Sequence, residues 1–69
     1  SENIEVLGQR LVAEKHLSLK LRHHGQPVDG IWFGRVEPLP ALAHLAYRIE
    51  TDAWQGTKRV RFVVEGMAD

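Results

Sequence analysis

A chain of 69 residues allows one domain, and a domain this small buries only about 60% of the surface its unfolded form exposes, so its core is thin. At 43% hydrophobic it is globular rather than disordered, and without cysteine it holds neither a disulfide nor a thiolate metal site. Nine Lys+Arg balance nine Asp+Glu, which counts against nucleic-acid binding by net charge alone, and no apolar run nears the roughly 18–20 residues of a membrane span.

The first strand is predicted over residues 4–12, with Gly8 marking a bend or bulge. A short connection at 13–15 leads into a second strand over 16–22. There Leu17, Leu19 and Leu21 recur at every second position and Ser18, Lys20 and Arg22 fill the places between. A period of two means a strand with one buried face, so the other face carries cations. Gly25 and Pro27 supply turn chemistry before a third strand over 28–34. In that strand Ile31 and Phe33 are expected to point inward and Trp32 outward.

Pro38 and Pro40 forbid a strand interior, and Pro40 suits the first turn of a short helix over 41–45. A fourth strand is expected over 46–50 with Tyr47 and Ile49 inward, then a hairpin loop over 51–57 with Gly56 left-handed. The fifth strand, over 58–65, alternates Val60, Phe62 and Val64 with Arg59, Arg61 and Val63. The layout is all-β with one short helix: a five-stranded OB-like Greek-key barrel, with an SH3-like barrel as the competing fold.

Charge is segregated along the chain. Lys15, His16, Lys20, Arg22, His23 and His24 follow one another with no acid between them, and Lys58, Arg59 and Arg61 form a second basic group. Four short stretches then carry a resemblance: Glu14-Lys15-His16-Leu17, Ile31-Trp32-Phe33-Gly34, Ala46-Tyr47-Arg48, and Trp54 two places before Gly56. In order and spacing they resemble the C-terminal OB domain of RecJ, the bacterial single-strand-specific exonuclease, over nearly the whole chain. Ala13 stands where that family often has Gly, and Asp52 where it often has Asn.

The resemblance implies a piece of the C-terminal part of a larger, cytoplasmic exonuclease of DNA repair and recombination. Ser1 in place of Met agrees with a cut piece. The parent is implied to degrade single-stranded DNA from the 5′ end with Mn²⁺ or Mg²⁺, held in a separate catalytic core. This piece itself is expected to need no cofactor, and it shows no nucleophile elbow, phosphate loop or triad. Its expected partners are single-stranded DNA, the parent's catalytic core and another repair protein, with no membrane.

Phosphate contacts need cations, and single strands are gripped by stacking bases on aromatic rings. The candidate DNA-binding residues are therefore Lys15, Lys20, Arg22, Trp32, Arg48, Trp54, Lys58 and Arg61, whereas Tyr47 and Phe62 read as core. His16, His23, His24 and His44 lack the spacing of a metal set. Imidazoles titrate near pH 6.5 when unperturbed, so the first three are expected to strengthen the basic strip in mild acid. The alternative is a protein-docking or packing module, presenting Val36, Leu39, Leu42 and Leu45 to the catalytic core or a repair protein. A weaker option is the OB module of another DNA-handling enzyme.

Overall fold

In a computed structural model the described residues are 2–68, and nothing is described of the side chains of Glu2, Asp52 and Trp54. Strand β2 (His16–His23) shows the period of two directly: Leu17, Leu19 and Leu21 are buried, while Lys20 and Arg22 are exposed. It pairs antiparallel with β1 (Glu2–Val12) on one side and with β3 (Gln26–Trp32) on the other. Strands β4 (Leu42–Trp54) and β5 (Thr57–Ala68) make a long antiparallel hairpin. The barrel closes in the order β1-β2-β3-β5-β4, with β3 parallel to β5 and β4 returning to β1. This is the Greek-key barrel of OB type; a plain meander would set β4 beside β3.

Inside lie Ile4, Leu17, Leu19, Leu21, Leu39, Ala43, Leu45, Phe62 and Val64, with Tyr47, Trp32 and Met67 packed against them. Register between β1 and β2 slips between Val6 and Gly8, which is the bulge expected at Gly8. The slip lets one strand bend to serve both neighbours. Gly30 faces inward for a steric reason: a Cβ there would stand 2.9 Å from Leu21 Cδ1 and 3.4 Å from the Phe62 carbonyl oxygen. Only hydrogen allows β3 and β5 to run this close to the leucine layer. The β4–β5 loop shrinks from the seven residues expected to Gln55-Gly56, whose φ values of 50° and 76° make a two-residue turn of the twisted hairpin kind.

Three expectations are corrected. No helix forms over residues 41–45; β4 begins at Leu42 instead. Residues 42–45 pair with β1, and those backbone hydrogen bonds together with burial of Ala43 and Leu45 outweigh the weak helical propensity of a five-residue segment. The facing of β3 is reversed as well. Trp32 registers with Leu17 and packs on the core, whereas Ile31 lies on the outer face and Phe33 is 48% exposed. Last, Ile49, expected inward, is 56% exposed, and Val60 beside it is 43% exposed, because the β4–β5 hairpin runs on past the barrel.

Residues 33–41 form an irregular strap across the barrel. Leu39 drops from it into the core, 5% exposed. The Gln9 amide holds the strap: Nε2 donates to the Leu39 carbonyl at 2.8 Å, and Oε1 accepts from the Leu39 N–H at 2.7 Å. The Val6 N–H adds a bond to the Ala41 carbonyl at 2.8 Å. Gln9 thus acts as a piece of strand, satisfying a backbone that the prolines keep out of any ladder. Burial of Leu39 and Leu45 also removes two members of the expected docking surface, leaving Val36 and Leu42 exposed. Among the described residues no helix is long and apolar enough to cross a membrane.

Candidate nucleic-acid interface

The outer face of β2, β3, β5 and β4 carries one row that alternates in sign. Lys20 registers with Asp29, Asp29 with Arg61, and Arg61 with Glu50. Cross-strand neighbours share a face, so cation, acid, cation and acid stand side by side across four strands. Lys20 Nζ is paired with Asp29 Oδ1. Arg61 donates through Nε and Nη2 to Glu50 Oε1 at 3.1 and 3.0 Å. Arg48 donates to Glu50 Oε2 at 3.2 Å and to Glu65 at 3.1 Å. The neighbouring row is Ser18, Ile31, Val63 and Arg48, which places the buried Val63 between an isoleucine and an arginine stem on the outer side.

The network sets the charge state of its members. Hydrogen bonds from Arg61 and then Arg48 hold the Glu50 carboxyl below its ordinary value of 4.5. Glu65 first, then Glu50, raises the Arg48 guanidinium above its ordinary value. Both are stabilisations of the charged form by direct hydrogen bonds.

An open groove of about 660 Å³ crosses this face, lined by Ser18, Asp29, Ile31, Glu50, Arg59 and Arg61. A smaller one beside it, bordered by Gly8, Arg10 and Lys20, shares Ser18 and Asp29. Phe33 stands next to the larger groove, with the Arg61 guanidinium 5.7 Å from its ring centroid and the His16 ring edge-on at 5.2 Å. The Gly34 N–H donates to His16 Nδ1 at 2.9 Å, which turns the imidazole toward the phenyl ring.

The structure brings Lys20, Arg48 and Arg61 onto this face, with Arg22 on the same strand as Lys20 but 3.5 Å from Glu5. Lys15 in the β1–β2 turn and Lys58 at the start of β5 are exposed and meet no carboxylate among the described residues. Trp32 is half-buried, with Arg35 4.7 Å from its ring centroid. Trp54, expected as a second stacking ring, has its side chain outside what is described. Sequence reasoning missed Phe33 as the exposed ring and Asp29 as a groove residue. Asp29 itself was the available signal: in Val28-Asp29-Gly30-Ile31-Trp32 an outward aspartate forces Ile31 outward and Trp32 inward.

His23 belongs elsewhere. His23 Nε2 and the Tyr47 hydroxyl are hydrogen-bonded at 3.0 Å, and His23 meets Phe62 edge-on. Tyr47 stacks on Phe62 at 4.3 Å, which makes both part of the packing, as expected. Among the described residues no three His, Asp or Glu gather as metal ligands. The divalent ion implied for a nuclease core therefore has no fitting set here, and no step runs through it.

Neither the curated proteins nor the solved structures compared with the chain contain a match. The family model described as the RecJ OB domain matches residues 1–66. With that match covering nearly every residue, and with the strand order of an OB barrel, the chain belongs to the RecJ OB domain family.

Proposed function

We propose that this domain holds single-stranded DNA for a RecJ-like, Mn²⁺- or Mg²⁺-dependent exonuclease of DNA repair and recombination in the cytoplasm. Catalysis belongs to a core outside this chain, which is the domain's second partner. One observation carries the reading: an open groove on the β2–β3 side of an OB barrel, where such barrels bind oligonucleotides, with an exposed phenyl ring beside it. Phe33 supplies the stacking platform. Lys15 and Lys58 are the leading candidate phosphate contacts, since Lys20, Arg22, Arg48 and Arg61 each already meet a carboxylate, and Trp32 and Trp54 are the further candidate rings.

Fluorescence titration of the whole chain with a labelled single-stranded decamer tests this. Phe33→Ala is expected to cost about 1–3 kcal/mol of affinity. Arg10, Lys15 and Lys58, which meet no carboxylate among the described residues, give a log–log salt slope of about −2 at about 0.7 per phosphate. A salt-independent affinity sinks the electrostatic part, and absence of binding at millimolar oligonucleotide sinks the whole. In that last case Val36 and Leu42, 53% and 63% exposed, favour the second reading, docking onto the parent's core or another repair protein.

A further inference from the structure

We infer that the groove reads the edges of bases rather than phosphates, and that Asp29 makes it prefer cytosine over thymine; this rests on the single-strand-holding function proposed above. Three observations lead there. Each cation of the alternating row, Lys20 and Arg61, already has a carboxylate partner, as does Arg48 beside it. A phosphate laid in the groove meets Asp29 and Glu50 at close range, and like charges repel. The strand's backbone is therefore favoured at the margins, where Arg10, Lys15 and Lys58 lie exposed, and its bases over the groove. Ile31 offers them an apolar floor and Phe33 a ring to stack on.

Of the two groove carboxylates, Asp29 keeps the greater acceptor capacity. Glu50 accepts three bonds, two at Oε1 and one at Oε2. Asp29 takes Lys20 at Oδ1, and its Oδ2 accepts nothing among the described residues. Asp29 also borders both grooves. A carboxylate oxygen at that place accepts from the exocyclic amino group of cytosine. Thymine presents a carbonyl oxygen at the same ring position, so two acceptors would face each other. The preference arises as much from rejecting thymine as from binding cytosine.

The test is titration of the whole chain with d(C)10 and d(T)10 at pH 7.5 and fixed salt. Wild type is expected to bind d(C)10 tighter by about threefold or more. Asp29→Ala, at an exposed position that leaves the core untouched, brings the ratio close to one while affinity for d(T)10 rises. Lys20→Ala removes the ion partner but keeps the acceptor, so both affinities fall and the preference survives. Equal wild-type affinities, or a preference that persists in Asp29→Ala, overturn the inference and leave the DNA-holding function standing. Failure of wild type to bind either oligonucleotide overturns both.

Discussion

Ala13 carries backbone strain at the scale of one residue. Its φ is 53°, in the left-handed region that costs an L-residue and suits glycine. Ala13→Gly is expected to raise stability by about 0.5–1 kcal/mol, less what the freer unfolded chain takes back, read from urea unfolding midpoints. A lowered midpoint shows that the turn does not hold this conformation. Single residues were the least readable part of the sequence. Trp32 and Phe33 exchanged places because facing depends on which neighbour each strand position meets, here Leu17 opposite Trp32. The cross-strand ion partners of Lys20, Arg48 and Arg61 were unreadable for a similar reason. Asp29 for Lys20, Glu65 for Arg48 and Glu50 for Arg61 come from other strands, and only the register brings them within reach.

Elements were read more faithfully than residues. The five strands, the bulge at Gly8 and the left-handed Gly56 all follow from alternation and turn chemistry that a sequence carries locally. The helix over 41–45 failed because strand or helix there is decided by β1, forty residues away. The strap of residues 33–41 has no local signature, since its order derives from Gln9. Gln9→Ala is expected to cost about 1–3 kcal/mol, because Leu39 keeps its partly buried N–H and carbonyl without partners. The same change should accelerate hydrogen exchange at the Leu39 amide more than at β2. Unchanged exchange there shows the strap to be held by the packing of Leu39 alone.

For the molecule as a whole, zero net charge conceals an ordered pattern, with acids set between cations rather than scattered. Its pH response follows from Glu50. The folded carboxyl lies below its ordinary value of 4.5, so its contribution is complete above that value and is lost as pH falls through the folded one. Glu50→Gln is thus expected to lower the urea midpoint slightly at pH 7 and to shrink the difference between pH 7 and pH 3. The effect is small because solvent reaches and screens the pair, the Glu50 side chain being 39% exposed. An unchanged acid response assigns acid sensitivity to other carboxylates. Strands β1–β2–β3 are paired along their length, and so are β4–β5, while the ladders described between the two groups run over residues 2–5 against 42–45 and 29–31 against 61–63. The barrel is thus two leaves joined by the strap and by two short seams, and the groove spans the seam between β3 and β5. A ligand lying in it would touch both leaves at once, Asp29 and Ile31 on one and Glu50 and Arg61 on the other.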